Sequence, residues 1–249
     1  MKERKPVNYA IEFARPGEAS IELLAEHEFR LDEQNLSDAL RANLSTRERD
    51  FLRVAMGIYT VDRALRRNSR GGLSRIVRLS VDLCEPGFWR EPGIVSLLQD
   101  AVQQVSDDCW DFEFRQSKEF VNLKPYLGFR PDSPLVCLYS GGLDSAAGLA
   151  TRLRLQPRPV VTVTAFHQPG QKKRVREQVQ RLGHKYGVHT YPLIVKTSMV
   201  NAPALSKQET SQRCRSILFL GTGGVAASMA GASEVEVYEN GVGAVNLPL

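Results

Sequence analysis

The stretch Leu135-Val-Cys-Leu-Tyr139-Ser140-Gly141-Gly142-Leu143-Asp144-Ser145 decides how the second half of this chain folds. Leu135 to Tyr139 is short and apolar behind Pro134, which suits a strand buried on both faces. Two consecutive glycines follow, and then a helix begins. Glycines let the backbone turn sharply and present successive N–H groups, and the positive end of the new helix points the same way. The residues from Ser140 to Ser145 therefore read as an anion cradle. Ser140 and Ser145 add hydroxyl donors to it, whereas Asp144 adds a negative charge where a phosphate would sit. A bridging cation, Mg²⁺ bound through nucleotide phosphates, removes that repulsion. The turn lacks the Gly-Lys-Ser/Thr ending of a Walker loop, so the expectation is a held pyrophosphate with attack at the α-phosphate of ATP, not γ-phosphate transfer.

Outward from the turn, strand and helix alternate, the pattern of parallel crossover units. Strands are expected at Leu135 to Tyr139, Val160 to Phe166, His189 to Val195 and Glu234 to Tyr238. Helices are expected at Asp144 to Leu155, Lys172 to Tyr186 and Ser211 to Ala230. An open α/β sheet with its ligand off the carboxyl ends of the strands follows. The proline- and glycine-rich run Lys124-Pro-Tyr-Leu-Gly-Phe-Arg-Pro-Asp-Ser-Pro134 reads as a connection, dividing the chain into residues 1–130 and 131–249. The first part mixes strand candidates (Ser20 to Leu24, Ser74 to Leu83, Asp111 to Arg115) with helices at Thr46 to Arg67 and Pro92 to Val105, a smaller α+β unit. In the first helix Phe51, Val54, Ala55, Ile58, Tyr59, Val61 and Leu65 recur at helical spacing, and Ser45 or Thr46 can cap its start.

The chain has 249 residues, 42% hydrophobic and 24% charged, enough for one large core or two modest ones. No apolar run is long enough for a membrane span, and Met1-Lys-Glu-Arg-Lys-Pro6 has no apolar signal segment, so a cytoplasmic protein is expected. Cys84, Cys109, Cys137 and Cys214 form no C-x-x-C pair and read as buried free thiols. A net charge of +5 mildly favours anionic ligands.

Three further segments concentrate candidate site residues. His167 ends the second strand in Phe166-His-Gln-Pro-Gly-Gln171, where it can hydrogen-bond substrate or nucleotide. Arg213 and Arg215 open the helix that leads to Ala230. Positive charge there opposes the helix dipole, so both arginines call for an anionic partner. Glu239, Asn240 and Gly241 follow the last strand, where polar groups and glycines gather at the expected ligand edge. Two other features have plainer readings. The bases Lys172, Lys173, Arg174, Arg176, Arg181 and Lys185 lack interleaved aromatic residues and read as a solvated helix face. Gly221-Thr-Gly-Gly224 lies inside a helical stretch and reads as close helix–sheet packing, not as a nucleotide loop.

The strand followed by Ser140-Gly-Gly-Leu-Asp-Ser145 resembles the signature of the PP-loop ATP pyrophosphatases. The segment ending in Gln171 and its basic continuation resemble the 7-cyano-7-deazaguanine synthase (QueC) branch. Glu239-Asn240-Gly241, with the N-terminal extension, is similar to the QueC-like proteins of bacterial antiphage systems, the QatC type and its CBASS-associated relatives. This resemblance implies a PP-loop fold and an ATP- and Mg²⁺-dependent ligase that adenylates a small deazapurine-type acid and joins it to an amine. Ammonia, a protein or a tRNA is the implied acceptor. Asp144, Arg213 and Arg215 are the implied catalytic residues. Ser140, Gly141, Gly142, Leu143, Asp144, Ser145, His167, Glu239, Asn240 and Gly241 are the implied nucleotide- and substrate-binding residues. Zinc is not expected, because the four-cysteine cluster of the tRNA-precursor synthase has no counterpart here. The resemblance also leads one to expect further elements beyond Gly241, as if the chain were short or the front portion of a longer protein. The alternatives are a PP-loop tRNA-modifying enzyme, such as a thiolase needing a cysteine pair, and a catalytically silent nucleotide-binding subunit of a defence complex.

Overall fold

The structure, a computed structural model, describes residues 8–13, 21–24, 29–31, 33–65, 67, 74–118, 124–126, 131–166, 169–199, 209 and 211–239. The elements in chain order are β1 (Asn8–Phe13), β2 (Ile21–Leu24), β3 (Phe29–Leu31), α1 (Glu33–Leu40), α2 (Thr46–Ala64), β4 (Ile76–Leu83), α3 (Pro86–Trp89), α4 (Pro92–Ser106) and β5 (Cys109–Gln116). They continue as β6 (Leu135–Leu138), α5 (Leu143–Leu155), β7 (Val160–Phe166), α6 (Pro169–Tyr186), β8 (Thr190–Met199), α7 (Arg215–Ala230) and β9 (Glu236–Val237). The class is α/β. Among these described elements, no helix is long and apolar enough to cross a membrane.

One sheet has the order β2-β1-β4-β5, with β4 and β5 parallel and the other pairs antiparallel. Its inner face carries Val77, Leu79, Val81, Trp110 and Phe114, which pack with α2 and the start of α7. Its other face presents cross-strand polar pairs in register, Arg78 with Asp111, Ser80 with Glu113 and Asp82 with Arg115. The edge of β5 is not left bare. Arg90 donates to the Phe114 carbonyl and Gln99 to the Trp110 carbonyl, blunting a surface that could otherwise template another strand.

The second sheet has the order β3-β8-β7-β6-β9. The four strands β8, β7, β6 and β9 are parallel, as the alternation of strand and helix predicts. Leu135, Cys137 and Tyr139 point into a cluster with Leu149 and Leu153 of α5 and Val175 and Val179 of α6. Val136 points the other way, against Val225 and Ala226 of α7 and Leu36 and Leu40 of α1. The strand is thus buried on both faces, which is why it reads as a continuous apolar run. Its antiparallel edge, β3, and the covering helix α1 come from the N-terminal part of the chain, so segments preceding residue 130 complete the layers of the second sheet.

Helix α2 starts at a capping box in which Ser45 accepts from the Glu48 N–H and the Glu48 carboxylate accepts from the Ser45 N–H. It ends three residues before the expected Arg67. Leu65 is extended (φ −97, ψ 107), because the chain must turn for the Arg67 guanidinium to reach Asp62 at 2.9 Å and Asp108 at 2.7 Å. Arg75 bonds the same two carboxylates, and both aspartates are fully buried. The second Asp62 oxygen accepts from the Cys214 N–H at 3.0 Å, which ties the entry of α7 to α2. Glu209 adds a tie by accepting from the Arg67 and Ser211 N–H groups.

Helix α7 is thin where it is crowded. A Cβ on Gly223 would lie 2.8 Å from Leu138 and 3.1 Å from Val235, and one on Gly221 3.3 Å from Ala55. Gly221 and Gly223 therefore serve close packing of α7 between the sheet and α2, as expected of this run, whereas Gly224 is exposed with nothing within 4 Å of a Cβ. Cys214 and Leu218 belong to the first core and Val225 to Ala227 to the second, so this helix joins the two.

Two outcomes follow from the buried charges. Asp62→Ala leaves two buried guanidinium groups short of a carboxylate and is expected to destabilise the fold by about 3–5 kcal/mol in urea denaturation. Burial alone would raise the Glu209 carboxyl, but the Arg67 and Ser211 donors hold it down at about 2. A carboxyl depressed on folding stabilises fully above its unfolded value, and that contribution is lost as pH falls through the folded one. Stability is therefore expected to decline between about pH 4.5 and pH 2. Equilibrium denaturation across that range should show a shallower decline for Glu209→Gln.

Candidate functional site

Where β6 ends, the backbone is held from both sides. The Tyr139 N–H donates to the Val163 carbonyl at 2.9 Å, the Thr164 hydroxyl donates to the Tyr139 carbonyl, and Gln171 of α6 donates to the Ser140 carbonyl at 3.2 Å. The chain then passes through Gly141 at φ +78, in the left-handed region. A Cβ there would also meet the Val175 methyl at 2.8 Å, so glycine is required by conformation and by space.

Gly142 is the N-cap of α5 and carries no side-chain cap. Its N–H donates to the Ser140 hydroxyl at 3.2 Å, and its carbonyl accepts from the Ser145 hydroxyl and the Ala146 N–H, each at 3.1 Å. The two serine hydroxyls lie 3.2 Å apart. Ser140, Gly142, Leu143 and Asp144 are exposed, whereas Ser145 is buried beneath them. The result is a helix N-terminus without a side-chain cap, ringed by two hydroxyls and faced by an exposed carboxylate. Helix N-termini of this kind suit phosphate.

The strand order sharpens the location. From β6 the chain goes to β7 and β8 on one side, and then crosses to β9 on the other. Helices α5 and α6 cover one face, and α7 covers the opposite face. In such sheets the crevice opens where the order reverses, here between the carboxyl ends of β6 and β9. The turn sits at that point. Strand β9 is clamped to α5 by Arg152, which bonds Glu236 at 2.8 Å, and by Tyr238, which fills the notch at Gly148. Tyr238 also donates to Glu236 at 2.7 Å. Val237 pairs with Leu138, and Glu239 follows Val237 by two residues as Ser140 follows Leu138, which brings exposed Glu239 to the same edge as the turn.

No family model, curated protein or solved structure matches this chain. The site's own geometry is what bears on its chemistry.

The arginines differ in placement. Arg213 donates to the Ser106 carbonyl at 3.0 Å, at the carboxyl end of α4. The anionic partner that its position calls for is thus the negative end of another helix. Arg215, exposed at the start of α7, lies over the Phe219 ring at 4.7 Å. Gly223 packs on Leu138 at the end of β6, and Arg215 lies eight residues earlier on α7, where its charge acts on Tyr59 of α2. His167, Asn240 and Gly241 lie outside the described residues.

Residues that shape the site without a sequence signal are Val175 and Gln178, which back Gly141, and Gly148, which seats Tyr238. Each depends on which helix lies beside the turn. Cys137, in the middle of β6, has its thiol pushed up to about 12 by burial and by the nearby Glu236 charge, so it is not a nucleophile of this site. Gly141→Ala is expected to cost at least about 1–2 kcal/mol from the left-handed backbone alone. Thermal melts should show that loss.

Proposed function

We propose that this chain is an ATP-dependent, AMP- and pyrophosphate-forming ligase or synthase of the PP-loop, QueC-like kind. The reading has it adenylate a 7-deazaguanine-type carboxylic acid and join that acid to an amine in antiphage defence. The observation that carries the reading is the α5 N-terminus without a side-chain cap, with Ser140, Ser145 and Asp144, at the reversal of strand order. The donor set fits a triphosphate better than a neutral ligand. Amides and hydroxyls donate to phosphate oxygens, and the exposed Asp144 carboxylate suits a divalent cation between itself and them.

In this reading the α5 amides and the Ser140 hydroxyl hold the β- and γ-phosphates in place, with the Ser145 hydroxyl bracing the turn from beneath through the Gly142 carbonyl. Mg²⁺ supplies positive charge that offsets the negative charge gathering on pyrophosphate as it departs. The acid's carboxylate attacks the α-phosphorus, the bond to the bridging oxygen breaks, and pyrophosphate leaves. An amine then attacks the acyl carbon and expels AMP. In this reading Arg215, exposed at the start of α7, is the cation that neutralises phosphate charge, and Arg213 positions the entry of α7 through Ser106. Glu239 lines the edge where the acid or amine is held. The rival thiolation chemistry needs a reactive cysteine, and buried Cys137 does not supply one.

Purified protein incubated with ATP, Mg²⁺, 7-carboxy-7-deazaguanine and ammonia is expected to release pyrophosphate and AMP in equal amounts. Asp144→Ala should reduce that rate at least about a hundredfold while its melting temperature stays close to wild type. Formation of ADP in place of AMP would refute the mechanism.

A further inference from the structure

Helix α6 holds six Lys or Arg residues and one Glu. The whole chain has 33 bases and 28 acids, so the residues outside α6 carry 27 of each and balance. All of the formal net charge of +5 therefore sits on one helix. Lys173, Arg174, Arg176, Arg181 and Lys185 are exposed. Glu177 comes within 4.0 Å of Lys173, and the Lys185 ammonium lies 5.6 Å from the centre of the Tyr186 ring. Lys172, Lys173 and Arg174 fall in the first two turns, where positive charge works against the helix dipole. Local stability gives no reason for that arrangement.

The apolar side of α6 is already used, since Val175 and Val179 are fully buried against the sheet. No apolar stripe is left to enter a lipid surface, which amphipathic membrane-binding helices require. The exposed side has no aromatic or large aliphatic anchor of the kind that dominates protein–protein interfaces. What remains is a row of long cationic side chains. Arg174, Arg181 and Lys185, spaced i, i+7 and i+11, share one flank and span about 16 Å along the axis. Such a row fits a phosphate backbone contacted without base readout. The row also has a direction, because α6 begins at the turn. Gln171 bonds the Ser140 carbonyl and Val175 packs beneath Gly141.

We propose that the exposed face of α6 binds the phosphate backbone of a nucleic acid and leads it to the Ser140–Ser145 turn, making a nucleic acid the acceptor of the activated acid. The acceptor role rests on the ligase reading above. The binding itself does not.

Binding is measured by fluorescence anisotropy with a labelled 20-base-pair RNA duplex and a DNA duplex of the same sequence, without ATP, across a salt titration. Wild-type protein is expected to bind at least one duplex, with an affinity that falls steeply with salt. Arg174→Gln/Arg181→Gln/Lys185→Gln should lower the slope of log affinity against log salt by about 2–3 while its melting temperature is unchanged. Lys118→Gln, an exposed base outside α6, should leave the slope as it is. The relative affinity of the two duplexes distinguishes RNA from DNA. No binding to either duplex at low salt, an unchanged slope in the triple variant, or equally tight binding to phosphatidylserine vesicles would each overturn the proposal. Because these measurements omit ATP, a protein that binds nucleic acid but releases no pyrophosphate sinks the ligase reading alone, and the converse result sinks this one alone.

Discussion

Two aspartates and two arginines, Asp62, Asp108, Arg67 and Arg75, are shut away together inside the first unit, and the entry of α7, the helix shared by both cores, depends on them. Removing four charges from water is costly, and their mutual attraction offsets that cost only where the remaining donors and acceptors are satisfied. They are largely satisfied here. Asp62 also accepts from the Cys214 N–H, Asp108 from the Arg75 N–H, and Arg67 donates to Ser211 and Ser106. The cluster acts less as a source of stability than as a register device. It fixes where α7 enters, and α7 is the helix common to both cores.

That entry point explains the form of α7. To lie between α2 and the sheet it must be narrow in the middle, hence Gly221 and Gly223. To reach the cluster its first turns pack in the first core, where the Cys214 N–H meets Asp62. The turn needs no comparable support. Gly141, the carbonyl contacts from Gln171 and Thr164, and the Ser145 hydroxyl beneath it hold its backbone locally.

Charge distribution gives the molecule a second asymmetry. The polar face of the first sheet is built of matched pairs such as Arg78 with Asp111 and Arg115 with Asp82, which cancel in place. On α6 the bases outnumber the acids six to one. An overall +5 read from composition suggests only a mildly basic protein, whereas its confinement to one helix beside the turn makes a local field that an anionic chain would follow.

Local chemistry was legible along the chain. The alternation of strand and helix after Leu135, the Ser45 cap, the sharp turn at Gly141 and the small residues of α7 at Gly221 and Gly223 follow from side-chain period, glycine φ freedom and neighbours a few residues away. The sequence alone determined these because each is set within one turn or one strand. Tertiary structure decided the rest. Three residues at Phe29–Leu31 carry no readable period, yet they pair with β8 across the whole first unit. The end of α2 at Ala64 in place of Arg67, the partner of Arg213 and the strand order that puts the turn at a crevice likewise rest on distant contacts. Asp62 meets Cys214 across 152 positions and Arg213 meets Ser106 across 107. Such contacts form only when the chain has already packed, so no local pattern could announce them.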